Sequence, residues 1–225
     1  MVLCVHPVNF LAGDEKNPPT GEDQQILRSS IMELCESRFS TLAIKAGDRA
    51  PDFVLTDANG ENVNSIDLVR KGPVIIVFLR GLWCWYSHTT LIALEAINET
   101  LNNFGVSLVA ISPQLHFSPA DMGRRQQVSF PVLRDVNSRV ALEFQVAWRL
   151  PAPVKNKYRA LGADLDKMNG ADCDLLPMAS FFVIDRQGTI VYSAVNADHI
   201  QLMSTEDLLI VLNNIPPPRK NRALE

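Results

Sequence analysis

Two apolar runs, Val74-Ile75-Ile76-Val77-Phe78-Leu79 and Val106-Ser107-Leu108-Val109-Ala110-Ile111, constrain this chain more than any other feature. Each is strand-length, rich in β-branched residues and without polar alternation, so each reads as a strand buried on both faces. Between them, Leu91, Leu94, Ile97, Leu101 and Phe104 recur at helical spacing from Ser87 onward. Gly105 then stands where a glycine ends a helix. Strand, helix and strand joined by short connections make a βαβ unit with parallel pairing.

The remaining signals arrange themselves around this unit. Thr20, with Asp23 three residues later, opens a helix in capping-box fashion. That helix is expected to place Leu27, Ile31, Leu34 and Cys35 on one side and to end near Phe39. Asp57-Ala58-Asn59-Gly60 is a turn between two short strands. Pro131-Val132-Leu133 reads as a strand, followed by a helix carrying Val140, Leu142 and Phe144. A hairpin runs from Phe181-Phe182-Val183-Ile184 through Asp185-Arg186-Gln187-Gly188 to Thr189-Ile190-Val191-Tyr192. Ser204 and Asp207 cap a final helix through Leu212, stopped by Pro216-Pro217-Pro218. One βαβ half and one ββα half predict an α/β fold, a thioredoxin-like sandwich with a central mixed β-sheet flanked by helices. The expected boundaries are residues 1–45 for an N-terminal extension with one helix, 46–214 for the sandwich and 215–225 for a tail.

At 225 residues and 47% hydrophobic, the chain can bury a full core. A formal charge of −4 gives no reason to expect nucleic acid or an anionic membrane as partner. The apolar runs are too short to span a bilayer, and the start, Met1 to Pro7, has no basic segment leading into a long apolar one. Cys4, Cys35, Cys84 and Cys173 are scattered through a chain too large to need disulfide staples, which predicts free thiols and a cytoplasmic location.

The chemistry concentrates at Arg80-Gly81-Leu82-Trp83-Cys84-Trp85-Tyr86-Ser87-His88. A thiol between a strand and a helix faces unsatisfied backbone N–H groups and the positive end of the helix dipole, both of which favour thiolate. Ser87 lies on the same helical face at i+3 and can donate a hydrogen bond to that thiolate, or serve as a plain helix cap. Arg80 offers a positive charge, or a structural arginine at the strand end. Trp83, Trp85 and Tyr86 crowd the thiol as an apolar substrate or partner surface, or as packing. Cys84 and His88 at i, i+4 are two ligands without a further cluster, so no metal and no cofactor is expected. Ser87 and His88 are adjacent and do not face each other, which excludes a hydrolytic pair.

From about Ala46 to Leu212 the chain resembles the alkyl hydroperoxide reductase/thiol-specific antioxidant family, the peroxiredoxins and their thioredoxin-fold relatives. The matching pieces are Gly47-Asp48-Arg49-Ala50-Pro51-Asp52-Phe53, Ile111-Ser112-Pro113-Gln114, Phe130-Pro131-Val132-Leu133-Arg134-Asp135 and Phe182-Val183-Ile184-Asp185-Arg186-Gln187-Gly188. It is most similar to a peroxiredoxin-like branch whose motif reads Arg-Gly-Gly-Trp-Cys-Pro-Tyr-Cys. Here the proline is Trp85 and the second cysteine is Ser87. Matched to peroxiredoxins, the attacking cysteine falls on Ser87 and Cys84 takes the neighbouring threonine's place; matched to thioredoxins, Cys84 is the first cysteine. In Leu176-Pro177-Met178-Ala179-Ser180, relatives carry either a cis-proline or a peroxide-activating arginine where Ala179 stands. A cis bond before a non-proline residue costs ~3 kcal/mol, so a trans, reshaped loop is expected.

The resemblance implies a redox-active cysteine: an antioxidant oxidoreductase in which Cys84 attacks a peroxide or a disulfide. With Ser87 in the resolving position, an external thiol such as glutathione or a thioredoxin-like protein, or the distant Cys173, would resolve the product. The substrate surface would include Trp83, Trp85, Tyr86, Met178 and Ala179, and relatives of this fold often form homodimers. The competing expectation is a thioredoxin-fold protein without turnover that recognises a partner through the Trp83–Trp85 surface.

Overall fold

The computed structural model describes residues 21–115, 128–170 and 174–196. Its frame is a seven-stranded mixed sheet in the order β2-β1-β5-β4-β3-β8-β9. The strands are β1 (Val54–Thr56), β2 (Asn62–Asn64), β3 (Val74–Phe78), β4 (Ser107–Ser112), β5 (Val132–Arg134), β8 (Ala179–Ile184) and β9 (Ile190–Asn196). A separate two-stranded ribbon pairs β6 (Ala147–Arg149) with β7 (Leu175–Pro177). The helices are α1 (Gly21–Glu36), α2 (Ser65–Lys71), α3 (Trp85–Asn103), α4 (Arg139–Glu143), α5 (Ala152–Ala160) and α6 (Leu165–Asn169). Among the described residues, no helix is long and apolar enough to cross a membrane.

The predicted βαβ unit is the centre of this sheet. β3 pairs in parallel with β4 from Val74↔Ser107 to Phe78↔Ile111, and antiparallel with β8 on its other side. Because successive strand residues point to opposite faces, β3 feeds two cores. Val74, Ile76 and Phe78 join one with Phe144 and Phe182, whereas Ile75 and Val77 join the other with Leu91, Leu94 and Leu101 of α3. Phe78, Phe144 and Phe182 form an aromatic triad with centroids 5.0–6.0 Å apart. Such tilted and edge-on contacts add to the burial each ring contributes.

Gly105 ends α3 at a φ of 69°, as expected of its place. The β3–α3–β4 unit is pinned at its base, where Ser107 N–H donates to the Pro73 carbonyl at 2.9 Å. A Cβ at Gly72 would sit 2.1 Å from the Gly105 carbonyl oxygen, so the two turns meet at a distance only glycine permits.

Four expectations change. Cys35 is exposed, so α1 turns Leu27 and Leu34 inward without it. Phe104 and Leu142 are about half exposed because each falls at or beyond the last turn of its helix, clear of the core. The helix α3 starts at Trp85 rather than Ser87. Residues 147–169 hold β6, α5 and α6, and 65–71 hold α2, none of which the pattern of apolar residues announced. The predicted helix through Leu212, the tail, Cys4, Cys173, His6, His116 and His199 lie outside the described residues.

Candidate active site

The site begins where β3 runs out. Leu79 N–H extends the ladder by one bond, donating to the Ile111 carbonyl at 2.8 Å. Gly81 then turns the chain at a φ of 146°, where side chains are strained. Its missing Cβ is also filled space: a methyl there would lie 2.2 Å from Trp83 Nε1, so the indole folds back onto the glycine. Leu82 N–H donates to the buried Gln114 Oε1 at 2.8 Å, bracing the loop from the end of β4. Cys84 N–H closes a tight turn onto the Gly81 carbonyl at 3.1 Å.

Cys84 is the N-cap of α3, with extended backbone (φ −89°, ψ 122°) and a carbonyl that accepts from His88 N–H at 3.1 Å. Its side chain makes no capping hydrogen bond. The sulfur therefore belongs to a residue whose following N–H groups begin the helix, the position expected from sequence. Cys84 is a free thiol with 0% exposure. Ser87 is the third helical residue, not the cap, and is buried.

Phe78, Leu79, Arg80, Cys84, Tyr86, Ser87, Thr90 and Ala179 enclose a cavity of about 10 Å³, the space of roughly one water molecule. Five of the residues picked out by sequence thus surround one cavity: Arg80, Cys84, Tyr86 and Ser87 from the β3–α3 junction, and Ala179 from the start of β8. Thr90 completes it from the second turn of α3, its hydroxyl donating to the Tyr86 carbonyl at 2.7 Å.

Other candidates stand elsewhere. Met178 is fully buried in the aromatic core with Phe78 and Phe182, so it packs rather than lining the cavity. Its N–H donates to the Val146 carbonyl at 2.8 Å, and the Met178–Ala179 bond is trans. Trp83 is 7% exposed and packs edge-on against Tyr158 at 5.4 Å, so it displays no recognition surface. The Trp85 side chain and Cys173 lie outside what is described.

Arg80 is 2% exposed, and its Nη2 donates to the Tyr158 hydroxyl oxygen at 2.6 Å. The guanidinium carbon lies 5.5 Å from the Trp83 ring centroid and 5.2 Å from that of Tyr158, within cation–π range. Burial works against the guanidinium charge, but Tyr158 and the Cys84 thiol favour it, and the Arg80 pKa is raised overall. Burial also raises the Tyr158 pKa, against the pull of Arg80. Tyr158 comes from α5 and Leu27 from α1; both join Trp83 and Cys84 in a third apolar cluster. No sequence signal pointed to Tyr158: it stands in a nine-residue helix 78 residues from its partner.

The profile of the AhpC/TSA family matches residues 46–193. Among solved structures, the chain is similar to peroxidoxin BcpB from Mycobacterium tuberculosis, at 20% identity and a TM-score of 0.58, covering 77% of this chain and 99% of that one. It is also similar to a yeast mitochondrial 1-Cys peroxiredoxin, at 16% identity and a TM-score of 0.58, over 80% and 84% of the two chains. A Plasmodium vivax 2-Cys peroxiredoxin matches at 15% identity and 0.54, over 75% and 80%. At these identities the likeness speaks for the fold. No curated protein matches.

Proposed function

The chain belongs to the AhpC/TSA family, and from that premise we propose that it is a thiol-dependent peroxidase with Cys84 as its single nucleophile. The observation that carries this reading is the shared cavity, which Cys84, Arg80 and Ser87 line together. The Cys84 thiolate attacks one peroxide oxygen and the O–O bond breaks. Sulfur is oxidised to sulfenic acid, and the departing oxygen takes a proton and leaves as water or an alcohol. Arg80 supplies positive charge for the thiolate and for the departing oxygen. Ser87, lining the same cavity, offers a hydroxyl donor to the thiolate.

Ser87 stands where a neighbouring resolving thiol would be, so the sulfenic acid condenses with an external thiol, releasing water and forming a mixed disulfide. A second thiol then frees Cys84. Glutathione or a thioredoxin-like protein fits this role; the yeast mitochondrial relative is described as resolved through glutathione and thioredoxin systems. Because Cys84 is fully buried, such a reductant reaches it when the first turn of α3 opens locally. The small cavity favours a peroxide over a protein disulfide as oxidant. The burial of Trp83 removes half of the surface on which a purely partner-binding role would depend. Peroxide consumption with glutathione or dithiothreitol as reductant tests the reading: turnover should depend on the thiol and vanish in Cys84→Ser. Undiminished turnover in that variant refutes it.

A further inference from the structure

Resting on the reading of Cys84 as nucleophile, we infer that Tyr158 is a positioning residue for the reaction, acting on the cavity through Arg80. A long arginine side chain brought out of water loses its hydration and has many rotamers to choose from. Holding it in one useful orientation requires a fixed acceptor and shaped walls. The structure provides both. The Tyr158 oxygen accepts from Arg80 Nη2 at 2.6 Å, while the Trp83 and Tyr158 rings lie 5.5 and 5.2 Å from the guanidinium carbon. The two rings hold each other edge-on at 5.4 Å, and Trp83 is seated on Gly81.

The choice of acceptor matters chemically. A carboxylate in the place of Tyr158 would pair with the guanidinium and neutralise it. A phenol is uncharged near neutral pH, and burial keeps this one protonated. It therefore fixes the direction of Arg80 and leaves the positive charge for the thiolate and the departing oxygen. Arg80 lines the cavity, and among the described residues Tyr158 does not, so Tyr158 works at one remove. It reaches this position because α5 packs under α1, with Leu27, Val154, Tyr158 and Leu165 buried in the cluster that contains Cys84.

Tyr158→Phe keeps the ring and removes only the oxygen, so it tests the role with little change in shape. Oxidation of Cys84 by stoichiometric hydrogen peroxide should slow roughly five- to tenfold, the size of one lost hydrogen bond. The curve of Cys84 alkylation against pH should move to higher pH. In an Arg80→Met background, the same change should have no further effect, because the group it orients is gone. Equal slowing by Tyr158→Phe in both backgrounds means a general structural role and overturns the inference. So does a variant that reacts at the wild-type rate; in that case the nucleophile reading stands. If wild-type Cys84 is not oxidised, the nucleophile reading fails first and takes this inference with it. Should Tyr158→Phe not fold, 3-fluorotyrosine at position 158 keeps the shape and weakens the acceptor. The same slowing is expected of it, and a wild-type rate again overturns the role.

Discussion

The β3–α3–β4 unit and the segment from β6 to β7 meet at Cys84 but are built by different physics. The first is regular: its strands are apolar but for the serines at the two ends of β4, its helix repeats, and a glycine ends it. It places Arg80, Cys84 and Ser87 within one turn of chain reversal. The second is a short ribbon and two brief helices, and its residues matter through what they touch. Tyr158 reaches Arg80, and Val154 and Leu165 pack with Leu27 of α1. Chemistry-bearing side chains therefore come from the periodic part, whereas their orientation depends on a part whose geometry arises only in the folded molecule.

The two regions depend on each other most at the seam between them. Leu27 has 0% exposure and packs α1 into the cluster behind Cys84. Leu27→Ala should cost about 3 kcal/mol, through lost transfer energy and the cavity left behind. Chemical denaturation reads the loss, and a change below about 0.5 kcal/mol would show that α1 is not part of the folded unit. Within the periodic region, Gly81→Ala should cost about 2 kcal/mol, since the new methyl meets the Trp83 indole in a strained backbone conformation. The same variant should slow Cys84 oxidation, because the displaced indole is a wall of the Arg80 site. Wild-type stability and rate together would mean that the loop has room the structure does not show.

Smaller effects sharpen the contrast. Ser87→Ala removes one hydrogen-bond donor from the cavity and should slow Cys84 oxidation roughly threefold to tenfold with stability nearly unchanged. An unchanged rate would return Ser87 to a packing role. Asp135, which does not line the cavity, offers a control. Burial is the main reason its pKa is raised, while hydrogen bonds from the Val140 and Ala141 N–H groups pull it down. A folded state that holds this proton more tightly binds more protons than the unfolded one. The residue's contribution to stability therefore falls as pH rises above the ordinary value of 3.8. Asparagine does not titrate, so the Tm difference should shift in favour of Asp135→Asn between about pH 3 and 6. A flat or opposite trend would contradict the assignment.

What sequence made legible follows the same division. The sheet's centre, the parallel pairing and the hairpin were readable because period-two and period-3.6 burial leave local patterns. The place of Cys84 at the strand–helix junction was readable because strand, glycine and helix converge on it. Tyr158 was not, because a contact across 78 residues leaves no mark at either end. Cys35 and Leu142 were misplaced for a related reason: in the last turns of a helix, one residue of drift turns an apolar side chain out to solvent. Met178 and Trp83 carry site-like neighbours, but packing against Phe182 and Tyr158 takes them inward.

With Cys84 as the nucleophile, environment rather than exposure decides which thiol reacts. Peptide-mapped mass spectrometry after brief exposure of the reduced protein to stoichiometric hydrogen peroxide, with a sulfenate trap present, compares the four cysteines directly. Cys35 is exposed and Cys84 is fully buried, so accessibility alone would favour Cys35. Rapid, selective trapping is expected at Cys84. Trapping first at Cys35, with Cys84 unmodified, would contradict it.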